Sequence, residues 1–356
     1  MNRIIILSIL VFIAGLPIQA QGKAEQVKQI RKLYADAKQQ IANNGKGANP
    51  CNDVLIERID TTYVSEDFII EEDYNLHVYF TVSRTPQGSV VYRPYFMLSN
   101  SGANGHTCYR EMLFDAQSHL VFSYMKAETH AGFIVETRYY YDGKGNLVDQ
   151  KHRVGNAEAT ANSHTWNSFD SELKLGQRNL KAFQLLMTPS QDGKVTTPSK
   201  ALPAKAERLQ FIRSNYTRAK QENAKVDKSE YRIGLTVTIH EQENTETPPR
   251  TDVLKFYYDR LMSSSSLVPH CYFFSEQRKS VYFTEYSEYL FHPQSHELLF
   301  FYNHAAEEGE EYETRYYYDA AGSCIEAKSN SDVNNSARIL GRARQFTQFF
   351  TSILDE

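Results

Sequence analysis

After residue 20 the chain has no apolar run of the roughly 20 residues a membrane-spanning helix needs. That excludes a stable membrane span in the chain beyond that point. It has no Cys-x-x-Cys pair, which argues against a cysteine-held metal or a dithiol redox centre. No basic stripe is visible and the formal charge is −4, so nucleic acid is not an expected partner. Nucleophile elbows, His-Glu-x-x-His, phosphate loops and dinucleotide fingerprints are all missing. Catalysis would then need a site assembled across strands, and no cofactor or metal is called for. Tryptophan occurs once, at Trp166, against 24 Tyr and 20 Phe.

The first twenty residues, MNRIIILSILVFIAGLPIQA, read as a secretory signal peptide. One charge, Arg3, precedes an apolar run from Ile4 to Leu16, and Ala20 supplies a small residue for cleavage. Loss of Arg3 with that segment takes the formal charge from −4 to −5. The expected location is the periplasm or the outside of the cell. An oxidising compartment makes disulfides candidates among Cys51, Cys108, Cys271 and Cys324. Two lie in each half, so Cys51–Cys108 and Cys271–Cys324 are natural pairings, although three connectivities exist.

The stretch ETRYYYD occurs at Glu136–Asp142 and again at Glu313–Asp319. It is the centre of a longer match. Thirty-five residues from Phe114 align without a gap to those from Phe291, at a shift of 177. Upstream, IRKLYADAKQ from Ile30 matches IRSNYTRAKQ from Ile212 at a shift of 182, and Leu175-Gly176 matches Leu340-Gly341 at 165. Changing shifts place the length differences in loops. The expected organisation is a signal peptide over 1–20, a first repeat domain over 21–187, a linker over 188–203 and a second repeat domain over 204–356. The linker is rich in Pro, Ser, Thr and Lys and has no apolar period.

Each copy opens with an amphipathic helical pattern: Val27, Ile30, Tyr34 and Ile41 in the first, Leu209, Ile212, Tyr216 and Ala219 in the second. The middle is rich in β-branched and aromatic runs separated by short turns, such as FDAQSHL and YDGKGNLV. Each copy closes with another helical pattern, on Leu173, Leu180, Phe183 and Met187 and on Ile339, Phe346, Phe349, Phe350 and Ile353. The predicted fold is α+β: two tandem homologous domains, each an N-terminal helix, an antiparallel β-meander and a C-terminal helix, with the helices on one sheet face.

Strand alternation puts Glu136, Arg138 and Tyr140 on one face, and Glu313, Arg315 and Tyr317 on the matching face of the second copy. These six are the candidate ligand-binding residues, for a protein, peptide or glycan. Tyrosine is frequent on such surfaces, and duplication of a binding unit raises avidity. The same strands are also explained by packing and cross-strand pairs alone. Glu111 with Glu136, and Glu288 with Glu313, form the pairs a sheet-borne hydrolase would need. A structural envelope component is the third reading. Asp115 with His119, and His292 with His296, offer only two metal ligands each, and EEGEEYE from Glu307 lacks calcium-loop spacing.

Overall fold

The computed structural model describes residues 22–46, 49–65, 68–103, 106–128, 132–159, 168–188, 205–226, 233–244, 246–263, 266–292, 295–307, 309–329 and 335–354. The expected signal peptide, Trp166 and all of the expected linker except Thr188 lie outside them. The described residues make an α+β fold of four helices and one antiparallel sheet of 15 strands.

The first half runs α1 (Lys23–Asn43), β1 (Asp53–Ser65), β2 (Phe68–Arg84), β3 (Val90–Ala103), β4 (His106–Phe114), β5 (Leu120–Glu128), β6 (Ile134–Tyr141), β7 (Leu147–Val154), β8 (Ala157–Ala159) and α2 (Phe169–Met187). The second runs α3 (Lys205–Val226), β9 (Ile233–Glu241), β10 (Arg250–Ser263), β11 (Ser266–Lys279), β12 (Phe283–Phe291), β13 (Leu298–Glu307), β14 (Glu310–Tyr318), β15 (Cys324–Ser329) and α4 (Ser336–Leu354). Within each half every strand pairs with its neighbour in sequence, β8 and β9 do not pair, and β1 pairs antiparallel with β9. Two meanders therefore join edge to edge. Along this seam Ile56 faces Val237 and Val54 faces Ile239, all buried.

Helices cover both faces of the sheet, not one as expected. Val27, Ile30 and Ala37 of α1 pack with Phe96, Phe122 and Tyr140, and α3 does the same with Phe273, Leu299 and Phe300. The opposite face carries α2 and α4 together over one core that spans both halves and the seam. The reason lies in the strands. Tyr139, Tyr140 and Tyr141 are all buried although they alternate in direction, so neither face there is left to solvent. The closing pattern of α2 is also shifted. Ala182, Phe183 and Leu186 are its buried apolar residues, while Leu173, Leu180 and Met187 pack only partly. Gly176 lets this helix lie close, since a Cβ there would sit 2.8 Å from Leu120 Cδ2.

Both copies of the repeated heptapeptide do the same structural work. Asp142 Oδ1 accepts from the backbone N–H of Lys144 and Asn146, and Asp319 Oδ1 from those of Ala321 and Ser323. Tyr141 donates its hydroxyl to Phe169 O at the start of α2, and the Tyr318 hydroxyl accepts from Ser336 at the start of α4.

The expected disulfides do not fit this sheet. All four cysteines are free thiols. Cys271 on β11 and Cys324 on β15 are four strand spacings apart, roughly 19 Å, and Cys51 beside β1 is about three from Cys108 on β4. A bridge needs Cα atoms within about 7 Å.

Because one core serves both halves, the chain is expected to unfold in a single transition. Phe256 is almost wholly buried against Phe274, Phe349 and Phe350. Phe256→Ala should cost about 3–5 kcal/mol and move the whole transition in urea. Two transitions, with only one displaced, would contradict a shared core.

Candidate functional site

Two mirrored clefts lie where α1 and α3 cross the sheet. In the first, Glu111 of β4 is only 4% exposed and sits in a polar cage. Lys38 Nζ is 2.9 Å from its Oε1, and the hydroxyls of Tyr34 and Tyr109 donate to its two oxygens. In the second, Glu288 of β12 is 2% exposed. Lys220 Nζ and the Tyr286 hydroxyl each lie 2.6 Å from its Oε1, and Tyr216 donates to Oε2. Burial, reinforced by the hydrogen bond to the carboxylate, pushes the Tyr34 and Tyr216 hydroxyls well above their ordinary range. Three donors per carboxylate satisfy a charge that burial alone would make costly.

Of the six sequence-predicted residues, Glu136, Arg138, Glu313 and Arg315 lie beside these cages and Tyr140 and Tyr317 beneath them. The Arg138 guanidinium lies 4.9 Å over the Tyr124 ring and 3.5 Å from Glu136, whose other oxygen accepts from the Tyr124 hydroxyl. Arg315 lies 5.7 Å over Tyr302 and pairs with Glu313. Tyr140 and Tyr317 are buried and form the floor. The clefts measure about 360 and 460 Å³. Tyr34, Lys38 and Tyr109 already occupy both oxygens of Glu111, while Glu136 is engaged by Tyr124 and Arg138.

A larger groove of about 580 Å³ opens on the other face, between the end of α2, the start of α4 and strands β10 to β14. Tyr92, Leu186, Met187 and Thr188 of the first half meet Arg250, Asp252, Glu276, Arg278 and Arg342 of the second. Glu276 Oε1 accepts from Arg278 at 2.8 Å and from Arg342 at 3.0 Å. Burial pushes the Glu276 carboxyl up, but those two guanidiniums outweigh it and hold it below the usual range. Asp252 is 2% exposed and lies 3.1 Å from Arg250. Its burial exceeds the pull of Arg250 and Arg278 and raises its pKa to about 6. Asp252 Oδ1, Arg250 Nε and Arg342 Nε have no hydrogen-bond partner among the described residues, so the cluster is not closed on itself.

Sequence reasoning missed this groove. Its one signal is a charge on the apolar register of a strand. Asp252 shares a face with Leu254 and Phe256, and Glu276 and Arg278 share one with Phe274. Asp115 and His119 merely pair with each other across their turn, at 3.2 Å. His292 and His296 bound a hairpin loop beside His270.

Compared with known proteins, the chain matches no family model, no curated protein and no solved structure.

Asp252 makes stability depend on pH. Its folded pKa lies above the unfolded value, so its favourable contribution is full below about pH 4 and is lost as pH rises through about 6. Asp252→Asn removes that dependence. Chemical denaturation should show the variant gaining on the parent between pH 4.5 and 7.5, by about 2 kcal/mol. A difference that stays constant with pH would contradict a buried, destabilised carboxylate.

Proposed function

We propose that the chain is a duplicated, non-catalytic binding protein that acts outside the cytoplasm after losing residues 1–20, and that its groove takes an acidic glycan. The duplication is supported by the repeated heptapeptide, by the matched carboxylate cages and by bulges at Tyr140/Tyr141 and Tyr317/Tyr318. The ligand reading rests on one observation: the groove gathers three half-buried arginines with donors in excess, the exposed Arg338, and a carboxylate with a free acceptor oxygen. Sugar hydroxyls suit Asp252 and the side chains of Asn303 and Thr314. A sugar carboxylate suits the guanidiniums, which recognise it through paired N–H donors. Tyr92 and Tyr312 offer rings at the rim. The groove is large enough for a small ligand and too small for a folded domain.

The hydrolase reading has one observation in its favour. The Asp252 and Glu276 carboxyls are pushed in opposite directions, as an acid and a base would be. Glu276, however, is held by two arginines and so is a poor base. A structural envelope role predicts no small ligand at all.

The test is calorimetric titration and thermal unfolding against uronic-acid oligosaccharides, neutral oligosaccharides and short peptides. Ligand at a hundred times its dissociation constant should add about 2.7 kcal/mol of stability. Arg338→Ala, at an exposed position, should weaken acidic-glycan binding about 5- to 100-fold without changing the unfolding temperature of the free protein. Binding of peptides alone would replace the ligand class. Release of reducing ends would make it an enzyme, and no binding from any class would favour the structural role.

A further inference from the structure

Four metal-type ligands from four separate sequence positions meet at one end of the β1–β9 seam. Asp53 opens β1, His240 stands directly opposite it on β9, and His77 lies on the other neighbour, β2, diagonal to it. Cys51 precedes the strand. His240 Nδ1 is 2.8 Å from Asp53 Oδ1, and His77 Nε2 is 3.1 Å from Asp53 Oδ2. The ligand atoms of Cys51, Asp53 and His240 all lie within 4.8 Å of one another. Tetrahedral zinc, with bonds of about 2.0–2.3 Å, separates such atoms by roughly 3.3–3.6 Å. Cys51, Asp53 and His240 would have to close in to reach that arrangement, and His77, 3.1 Å from Asp53 Oδ2, would swing in from β2 as the fourth ligand.

The surroundings position these groups. The Tyr79 hydroxyl lies 3.1 Å from His77 Nδ1, which leaves Nε2 directed at Asp53. Asn44, the C-cap of α1, donates from one nitrogen to Asp53 Oδ2 at 3.1 Å and towards Cys51 Sγ at 3.7 Å. Its Oδ1 accepts from the Asn52 backbone N–H. Gly45 turns the chain with φ +67°, and a Cβ there would sit 3.2 Å from the Cβ of Cys51. Glycine is therefore what folds Cys51 back under the helix end. Outer contacts of this kind orient metal ligands and tune their affinity.

We propose that Cys51, Asp53, His77 and His240 bind one divalent transition-metal ion, with Zn²⁺ the best fit. A thiolate and a carboxylate neutralise the ion, and two imidazoles complete a four-ligand set. Hard cations such as Ca²⁺ and Mg²⁺ prefer an all-oxygen shell and fit poorly. The ion would bridge β1 and β2 of the first half to β9 of the second, and so clamp the seam. The cluster occurs at one end only. At the other end Gly234 faces Ile59.

Cobalt is the probe. The reduced, chelator-treated full chain titrated with Co²⁺ should give tetrahedral visible bands and a thiolate-to-cobalt charge-transfer band, at one ion per chain, displaced by Zn²⁺. Cys51→Ser should abolish the charge-transfer band. His240→Gln and His77→Gln should each weaken Zn²⁺ binding at least tenfold, and Asn44→Ala about 10- to 100-fold. Circular dichroism of each metal-free variant checks the fold. If Cys51→Ser does not fold, alkylation of Cys51 in the parent chain gives the same information, since bound Zn²⁺ should slow it. No charge-transfer band in the parent, unchanged affinity in any ligand variant, or alkylation at the same rate with Zn²⁺ would overturn the site.

Discussion

The pairing of β1 with β9 is the contact on which the rest of the molecule depends. Each half is a meander that begins with a strand having only one partner of its own. Left open, β1 and β9 would each present a row of unpaired N–H and C=O groups, with Val54, Ile56, Val237 and Ile239 beside them. Joining them closes both edges at once. Eight residue pairs span the seam, and the apolar side chains pointing to the α2/α4 face become the middle of a common core. Buried side chains of this size contribute about 1.5–3 kcal/mol each, so the seam is comparable in worth to a small domain's net stability. It also decides where the helices go. The ends of α2 and α4 meet over the joined sheet, and Gln345 of α4 donates to the carbonyls of Leu185 and Thr188. The groove exists because that contact exists.

The two sheet faces carry different kinds of polar chemistry. On the α1/α3 face, the buried carboxylates Glu111 and Glu288 are enclosed and satisfied, one in each half. Glu111 and Glu288 each have a lysine and two tyrosine hydroxyls, which makes them parts of a scaffold. The α2/α4 face is unequal. Counted from the strand bulges at Tyr79/Phe80 and Tyr257/Tyr258, the positions of Asp252, Glu276 and Arg278 in the second half are held by Tyr74, Ser99 and Ser101 in the first. Among the described residues, Arg250, Arg278 and Arg342 gather around Asp252 and Glu276 in the second half, whereas in the first half Arg110 pairs with the buried Glu172 of α2. Halves that share an element order but differ on one face point to that face as the one given a separate task.

Much of the fold was legible in the sequence. Helical spacing located all four helices, because each buries one stripe. Short turns rich in Asp, Gly and Ser located the hairpins, because Asp142 and Asp319 bind the backbone of their own turns. The merging of the meanders was not legible. Nothing in DVLIERID or IGLTVTIHE says which other strand it joins, since both read as ordinary strands with one apolar face. The second covered face was hidden for a related reason. A tyrosine reads as a half-wet residue, yet Tyr139, Tyr140 and Tyr141 are all enclosed. For the sites, strand alternation put Arg138 with Glu136 and Arg315 with Glu313 on one face, and the structure sets both arginines beside clefts, but the groove and the seam cluster were out of reach. Their residues come from strands far apart in sequence, and only the register brings them together.

The seam also explains how unusual chemistry can be tolerated there. A sheet of 15 strands is long for an open, twisted sheet, and its centre bears the accumulated twist of both wings. Backbone hydrogen bonds alone fix β1 against β9 along the sheet plane, but they resist sliding only weakly where side chains are small. At one end of the seam Gly234 faces Ile59, so little interlocks. At the other end Asp53 is held from three directions by His77, His240 and Asn44. A one-residue slip of β9 would turn His240 to the opposite face and leave the buried Asp53 carboxylate short of a donor. The polar cluster therefore specifies the register that the apolar contacts stabilise, and with it the alignment of the two halves that forms the groove on the far face.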